Sequence, residues 1–317
     1  LSLRGSGKVG KVAYRNEDIV AYDPTTGTWS LYFDGSDVGL SSRNVDGFAL
    51  TPDGRLLLSL DAPYKLPGLG AVDDSDIVKF IPTSLGEATA GRFVLYFDGS
   101  DVGLTSSSED IDALAMTPDG KLIVSTSGSL TAPGVKGKDE DLFVFTATEL
   151  GKQTRGSWQP YLDGSTIGLT AGSEDLDGVG WRPLADGATY VSTKGDYTVS
   201  SKDSLYGDAD DIFAYQPNEP GAETPHYRFV RYFDGDQAGL DHARIDAFFI
   251  GAVPATVALP ANIDRSESDL IVAAEAEEAA ETVNAETTEI DEELDEYDLS
   301  IEEEADAQQI YLPIVVH

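Results

Sequence analysis

The 317-residue sequence contains no cysteine, one methionine and three histidines. The absence of cysteine excludes a disulfide scaffold, a thiol nucleophile and cysteine-ligated zinc. No run approaches the roughly 20 apolar residues of a membrane-spanning helix, so no membrane span is expected. Basic residues are scarce: 21 Lys and Arg stand against 57 Asp and Glu, giving a formal charge of −36. A surface this negative repels phosphate backbones, so no nucleic acid partner is expected.

Enzyme signatures are also missing. The sequence has no HExxH, no GxSxG, no Walker loop and no GxGxxG placed between a strand and a helix. His226, His242 and His317 are too few and too scattered to suggest a metal triad. His242, beside Asp241, could ligate or titrate, and the alternative is a solvated loop histidine. The sequence therefore favours a protein that is not an enzyme. It begins at Leu1 rather than Met, as if a leader had been removed, so an extracellular or cell-surface location is expected.

The acidic residues are unevenly distributed. Residues 254–317 contain 19 acidic residues and one basic residue, which gives −18, or half of the total charge of −36. Residues 1–253 are rich in Gly, Asp-Gly pairs, aromatic and β-branched residues, whereas the tail is rich in Ala and Glu. We therefore predict a folded body over residues 1–253 and an acidic tail over residues 254–317.

A nine-residue motif recurs four times in the body. YFDGSDVGL occupies residues 32–40 and 96–104, and it recurs as YLDGSTIGL at 161–169 and YFDGDQAGL at 232–240. The copies are 64, 65 and 71 residues apart. A second motif reads VDGFALTPDG from residue 45 and IDALAMTPDG from residue 111, with a longer copy from residue 176 and a shorter one from residue 245. Repeats of this length predict a modular architecture.

Each repeat contains four short β-type runs, which we name strands A to D. In the second complete unit they lie at residues 112–116, 121–125, 142–145 and 157–162, and A joins B through a tight Thr-Pro-Asp-Gly turn. Four antiparallel strands per repeat are typical of a β-propeller blade. The TPDG hairpins resemble those of secreted bacterial WD40-like and NHL-like propellers over residues 9–253. The resemblance implies the architecture but no particular activity.

The first and last strands predict how the ring closes. The last repeat has strand A at residues 245–250 but no B, C or D, whereas runs at residues 10–14, 18–22 and 28–33 match B, C and D. We therefore predict an all-β fold, a four-bladed β-propeller closed by N- and C-terminal strands. An open array of sheets and a larger ring shared between chains are the alternatives. Aromatic residues at the end of strand D are expected to pack between blades.

Acidic residues recur where strands A and C begin and in the loops from D to the next A. Strands A and C run in the same direction in a meander, so their first residues lie at one end of the blade, about 10 Å apart. Crowded carboxylates repel one another, and hard oxygen ligands without His or Cys favour Ca²⁺. The predicted Ca²⁺ ligands are Asp34, Asp37, Asp46, Asp76, Asp98, Asp101, Asp110, Asp112, Glu140, Asp141, Asp175, Asp177, Asp210, Asp211 and Asp246. The alternative is that each recurring Asp caps a strand or orders a turn.

The tail ends in a strand-like run at residues 310–316, in which Ile310, Leu312, Ile314 and Val316 alternate with other residues. A disordered acidic tail is one interpretation. The other is that this strand adds to a sheet of a neighbouring molecule, which resembles, in mechanism only, the donor strands of extracellular pili. Repeated head-to-tail addition would give a homopolymer.

Together these observations predict a secreted, non-enzymatic structural protein. It would assemble through its C-terminal strand into an extracellular filament or surface layer and be stabilised by Ca²⁺. The alternatives are a monomeric cell-surface propeller that binds a ligand, and a glycoside-active enzyme that uses paired carboxylates.

Overall fold

The computed structural model of the chain describes residues 1–181, 188–199, 204–217 and 227–251. Most of the predicted body is therefore described, whereas the predicted tail, with its terminal strand at residues 310–316, lies outside the described residues. None of the helices in the described part is long and apolar enough to cross a membrane.

The strands follow one another in five groups along the chain. The N-terminal group contains β1 (Ser2–Leu3), β2 (Gly7–Val9), β3 (Val12–Tyr14), β4 (Ile19–Asp23) and β5 (Thr28–Phe33). The first complete repeat contains β6 (Val45–Leu50), β7 (Leu56–Leu60), β8 (Tyr64–Leu66), β9 (Gly70–Val72), β10 (Ile77–Ser84) and β11 (Ala90–Phe97). The second contains β12 (Ile111–Met116), β13 (Leu122–Thr126), β14 (Thr131–Ala132), β15 (Val135–Lys136), β16 (Leu142–Glu149) and β17 (Arg155–Leu162). The third contains β18 (Gly178–Trp181), β19 (Thr189–Ser192), β20 (Tyr197–Val199), β21 (Leu205–Gly207), β22 (Ile212–Pro217) and β23 (Tyr227–Phe233), and β24 (Ile245–Ala247) follows.

Each recurring YFDG-type motif begins at the end of a strand and continues into one short helix. Three of these are 3₁₀ helices, at Ser36–Val38, Ser100–Val102 and Gly164–Ile167. The fourth is the single α-helical turn α1 (Gly235–Ala238). Each helix ends at a glycine with a left-handed backbone, such as Gly39 with φ 87°, which is a conformation that glycine adopts without steric cost.

The main strands form four antiparallel four-stranded sheets. Blade 1 has the order β6-β7-β10-β11, blade 2 the order β12-β13-β16-β17, and blade 3 the order β18-β19-β22-β23. Blade 4 has the order β24-β1-β4-β5, so one strand comes from the end of the described chain and three come from its start. The predicted four-bladed propeller closed by N- and C-terminal strands is confirmed.

One strand of blade 4 was assigned wrongly from the sequence. Strand B is β1, where Ser2 pairs with Ala247 on one side and with Ile19 on the other. The predicted strand at residues 10–14 instead contributes β3 to a small hairpin with β2. Three equivalent hairpins, β8-β9, β14-β15 and β20-β21, lie between the second and third strands of the other blades. Because Val9 and Tyr14 are buried, the hairpin has the apolar pattern of a strand without joining the blade.

Four apolar clusters in the described residues fill the seams between neighbouring blades. Phe33, at the end of β5, packs edge-on against Phe80 of β10, with ring centroids 5.1 Å apart. Phe97 and Phe145 repeat this contact in the next seam, also at 5.1 Å. The aromatic residues at the ends of these outer strands therefore pack between blades, as predicted.

The innermost strands β6, β12, β18 and β24 lie against one another around the axis. Two positions there require glycine because neighbouring side chains occupy the space. A Cβ on Gly47 would lie 3.0 Å from Leu114 Cβ, and one on Gly178 would lie 2.9 Å from Phe248 Cδ1. Side chains from the same and neighbouring blades therefore fill the space beside these two glycines.

The start of the first strand of each blade contacts the turn before the third strand of the neighbouring blade. A main-chain hydrogen bond holds each of these contacts. The amide of Val45 donates to the carbonyl of Asn16 at 3.0 Å, and that of Ile111 donates to Asp74 at 3.2 Å. The remaining seams have the same bond, from Leu176 to Asp139 at 3.1 Å and from Ile245 to Ala209 at 2.9 Å. The acidic residues at both sets of strand starts consequently share one face of the ring.

Candidate cation-binding site

The recurring aspartates at the start of the third strand of each blade hold tight turns. Asp76 Oδ2 accepts a hydrogen bond of 2.8 Å from the amide of Asp73, and its Oδ1 accepts one of 3.1 Å from Gly99. Equivalent pairs of bonds join Asp141 to Lys138 and Gly164, and Asp18 to Arg15 and Gly35. Both oxygens of these carboxylates accept main-chain N–H groups. We therefore leave Asp76 and Asp141 out of the candidate site.

The aspartates of the YFDG-type motif also make local bonds. Asp34 Oδ1 accepts from the amide of Ser36 at 3.0 Å, and Asp98 Oδ1 accepts from the hydroxyl of Ser100 at 2.7 Å. Asp37 and Asp101 instead reach the following blade, where they accept from the amides of Thr89 and Thr154. These four predicted ligands connect loops and seams, and they do not converge on a common point.

Two further predicted ligands have basic partners. Glu140 is buried, and its Oε1 lies 3.1 Å from Lys138 Nζ. Asp211 Oδ2 lies 3.4 Å from Arg231 Nη2. Asp210 belongs to a separate cluster at the edge of blade 3, which is described below.

Four other aspartates, at the starts of the innermost strands, surround one end of the axis. We call Asp46, Asp112, Asp177 and Asp246 the axial ring. Their side chains are deeply buried, with residue exposures between 1% and 6%. Burying four carboxylates so close together is unfavourable unless positive charge or protons compensate them.

One side of the axial ring is compensated by arginine. Arg4 Nη1 lies 3.0 Å from Asp46 Oδ1 and 3.9 Å from Asp246 Oδ2. Arg244 Nε lies 3.0 Å from Asp246 Oδ1 and donates to Asp177 Oδ2. Asn44 adds a 2.7 Å hydrogen bond from Nδ2 to Asp246 Oδ2. Asp246 is thus flanked by two guanidinium groups.

The other side of the ring is undercompensated. Asp112 is 5% exposed, and both of its carboxylate oxygens are buried without a hydrogen-bond partner among the described residues. Ligand oxygens of Asp112, Asp175 and Asp177 lie within 4.8 Å of one another. Lys194 Nζ lies 3.2 Å from Asp175 Oδ2, while the Oδ1 atoms of Asp175 and Asp177 have no partner in the part of the chain that the structure describes.

The difference between the two sides follows from a single sequence position. Two residues before the ring aspartate, the four repeats have Asn44, Asp110, Asp175 and Arg244. A neutral or basic residue therefore stands in two repeats and an acid in the other two. The sequence pattern indicated Asp110 and Asp175 but not Arg4, Asn44, Arg244 and Lys194, of which Asn44 and Arg244 occupy this same position in the other two repeats.

Burial is the main cause of high pKa values in the ring. It raises the pKa of Asp46 to about 7 and that of Asp177 to about 8, with neighbouring Asp246 adding to the effect in both cases. Burial followed by the charges of Asp175 and Asp177 raises the pKa of Asp112 well above its ordinary value. Half-buried Asp110 has a pKa of about 8 for the same kind of reason. The cluster favours binding of either protons or a cation.

The donor atoms are carboxylate oxygens, which are the ligand type that Ca²⁺ takes. Oxygen ligands lie about 2.4 Å from this ion, so ligands on opposite sides of it are about 4.8 Å apart. Asp112, Asp175 and Asp177 supply carboxylate oxygens within that span. The unpartnered oxygens of buried Asp112 are the feature that distinguishes this cluster from an ordinary acidic surface.

The predicted assembly residues Ile310, Leu312, Ile314 and Val316 lie outside the described residues. The hypothesis that they add a strand to a neighbouring molecule therefore stays a prediction.

Comparisons with known proteins give little guidance. No family model matches the chain, and no curated protein matches it. Among solved structures, the extracellular domain of BT4673 from B. thetaiotaomicron is 12% identical with a TM-score of 0.25, and the match covers 74% of this chain and 35% of that one. YCF48 bound to D1 peptide is 11% identical with a TM-score of 0.24, and the match covers 71% of this chain and 86% of that one.

Both likenesses are too weak to bear on fold or function, and this chain spans about a third of the first protein's length. The propeller architecture rests instead on the strand order of the four blades. The resemblance of the TPDG hairpins to those of secreted WD40-like and NHL-like propellers stays a prediction.

Proposed function

We propose that this chain is a non-enzymatic, extracellular or cell-surface binding propeller that binds Ca²⁺ through Asp112 and Asp177 of the axial ring and through the neighbouring Asp175. The observation that carries the proposal is the Asp112 carboxylate, which is buried and without a hydrogen-bond partner among the described residues. The bound ion would fix the starts of the innermost strands. It would also partly neutralise the acidic face, which could then hold a cationic or Ca²⁺-bridged ligand.

The burial of this cluster favours ion binding over catalysis on a sugar. Glycoside hydrolysis requires two carboxylates on either side of a bond in a bound substrate. Asp112, Asp175 and Asp177 are only 1% to 5% exposed, so a sugar ring cannot reach them. The acids in the surrounding loops largely accept main-chain hydrogen bonds, so they are poorly placed to act as general acid or base.

Calorimetric titration with Ca²⁺ tests the proposal. Wild-type protein should bind the ion, and Asp112→Asn should weaken the binding at least tenfold because it removes one anionic ligand. Asp119→Asn makes the same chemical change on an exposed turn at the other end of β12, and it should have no effect. Equal affinities for wild-type protein and Asp112→Asn, or no binding by the wild type, would refute the proposal.

Self-assembly is a second candidate function, favoured by the alternating apolar residues at 310–316. It is compatible with Ca²⁺ binding, because the ring and the terminal strand are different parts of the sequence. Its support comes from the sequence pattern, and its test is given in the Discussion.

A further inference from the structure

A second cluster of ligands lies at the edge of blade 3, away from the axial ring. It joins the turn before β22 to the loop that follows α1. Ligand atoms of Asp208, Asp236 and His242 lie within 4.8 Å of one another. His242 Nδ1 is 3.4 Å from Asp236 Oδ1 and 4.0 Å from Asp208 Oδ2. This cluster contains an imidazole, which the axial ring does not.

The turn before β22 differs from its counterparts in other blades. In blade 4, Arg15 Nη1 lies 3.9 Å from buried Glu17, and in blade 2, Lys138 Nζ lies 3.1 Å from buried Glu140. Blade 3 places Asp208 at the position of Arg15 and Lys138, and Asp210 at the position of the buried glutamate. An acid has therefore replaced the base that compensates the buried carboxylate.

Asp210, the buried acid of this turn, has one carboxylate oxygen that could bind a metal. Asp210 is 1% exposed, and its Oδ2 accepts a 3.1 Å hydrogen bond from the amide of His242. Its Oδ1 is buried without a hydrogen-bond partner within residues 1–181, 188–199, 204–217 and 227–251. Carboxylate oxygens of Asp208, Asp210 and Asp211 also lie within 4.8 Å of one another. Asp208 is common to both groups, and the amide of His242 donates to Asp210, so the two groups adjoin.

Arg231, which lies beside this turn, is paired with two other acids. Arg231 Nη2 lies 3.4 Å from Asp211 and Arg231 Nη1 lies 3.1 Å from Asp234. The pKa of Asp210 rises to about 7, because of burial first and then because of Asp208 and Asp236. The side chain of His242 is 72% exposed, so an ion can enter from solvent.

We propose that Asp208, Asp210, Asp236 and His242 form a site for a divalent transition metal of the Zn²⁺ type. Imidazole nitrogen together with carboxylate oxygen suits Zn²⁺ better than Ca²⁺. Tetrahedral Zn²⁺ has ligands at about 2.0 to 2.2 Å, which places them about 3.4 Å apart. The spacing between His242 Nδ1 and Asp236 Oδ1 equals this separation. The metal takes the place of the base that blades 2 and 4 provide, and its ligands are different residues from those proposed for Ca²⁺ at the axis.

The test is a Zn²⁺ titration of the full chain. His242→Ser is the variant of choice because Ser42 occupies the equivalent loop position, with φ 71° against 63° for His242, so the backbone tolerates serine there. The tightest Zn²⁺ site should weaken at least tenfold in His242→Ser, and the affinity for Ca²⁺ should not change. His226→Ser removes a histidine elsewhere and should leave the Zn²⁺ affinity unchanged. Unchanged Zn²⁺ affinity in His242→Ser, or an equal loss in His226→Ser, would overturn the proposal.

A second variant tests the site through an expected gain of stability in place of a loss of metal affinity. Asp208→Lys restores the base found in blade 2 and should raise the melting temperature in the absence of metal. Zn²⁺ should raise the melting temperature of the wild type, and Asp208→Lys should abolish that rise. A metal-free Asp208→Lys protein that is less stable than wild type, or that keeps the full response to Zn²⁺, would show that Asp208 is not a ligand in a metal-dependent turn.

Discussion

The amide of Thr89 donates a 3.0 Å hydrogen bond to Asp37 Oδ2, and this bond joins two blades. Asp37 lies in the loop after β5 of blade 4, whereas Thr89 precedes β11 of blade 1. Asp34 strengthens the contact, because its amide donates to Thr89 Oγ1 at 2.9 Å. Asp98, Asp101 and Thr154 repeat the arrangement between blades 1 and 2. The recurring motif thus ties each of these loops to the next blade.

The first prediction concerns this hydrogen bond between Thr89 and Asp37. Asp37→Ala should lower the free energy of unfolding by about 1 to 2 kcal/mol, because the amide of Thr89 loses its acceptor. Urea denaturation monitored by tryptophan fluorescence measures the change. Glu87→Ala, an exposed substitution in the same hairpin, is the control and should have almost no effect. Equal stabilities of the two variants would mean that the hydrogen bond from Thr89 to Asp37 does not stabilise the interface between blades 4 and 1.

The second prediction concerns pH. Asp46 has a pKa of about 7, and Asp110 and Asp177 have pKa values of about 8, against 3.8 for an ordinary Asp. Between these limits the folded state binds more protons than the unfolded state, so stability falls as pH rises. With chelator present, the melting temperature should therefore be lower at pH 8 than at pH 5. Acids with lowered pKa values, such as Asp119, act mainly below about pH 4 and do not reverse this sign.

Melting curves from pH 5 to pH 8 test it, and Asp112→Asn should flatten the dependence and raise the melting temperature at pH 8. A melting temperature that rises steadily over this range in chelator would contradict the assignment of raised pKa values to the ring.

The third prediction concerns ring closure. Leu3 is 1% exposed in β1, between β24 and β4. Leu3→Asp buries an unpaired charge and should lower the free energy of unfolding by about 3 kcal/mol or more. Ser6→Asp adds the same charge at an exposed position just after β1 and should change little. If chemical denaturation gave the same stability for both variants, β1 could not be the closing strand.

The fourth prediction concerns self-assembly. Burial of each apolar residue of the terminal strand contributes roughly 1.5 to 3 kcal/mol before ordering costs. A double variant of Ile314→Asp and Val316→Asp should therefore convert polymers into monomers, as measured by sedimentation velocity. The matched control carries Tyr311→Asp and Val315→Asp, which add the same charge to the other face of the strand. Wild-type protein that is monomeric at high concentration would contradict the filament hypothesis.

The architecture could be predicted because it is repeated. Four copies of one strand pattern, with an orphan strand A at residues 245–250, predicted both the number of blades and the closure. The small hairpins could not be predicted in the same way, because strands of two or three residues are too short to show alternation. β1 has two residues, whereas Val9, Val12 and Tyr14 give the neighbouring hairpin a stronger apolar pattern. The stronger pattern was taken for the blade strand.

The candidate site was harder to predict for a physical reason. A carboxylate that recurs in every repeat most often satisfies a backbone geometry that also recurs, as Asp76 and Asp141 do in their turns. A binding site needs charge that the fold does not compensate, so it appears where the repeats differ. The position that holds Asp110 and Asp175 in two repeats holds Asn44 and Arg244 in the other two, and this is such a difference. The burial of Asp112 depends on packing between three blades, which no local pattern contains.

The pairing of Ser2 with Ala247 also determines when the molecule can finish folding. Blades 1 to 3 are each made from one continuous stretch of chain, and they can form as soon as that stretch emerges during synthesis or export. Blade 4 contains both ends of the described chain, so β1, which lies between β4 and β24, keeps an open edge until β24 has emerged. Contacts this distant in sequence form slowly. The nascent chain therefore passes through a state with three complete blades and one unprotected sheet edge, and that interval is when a chaperone or an unwanted partner strand has access to it.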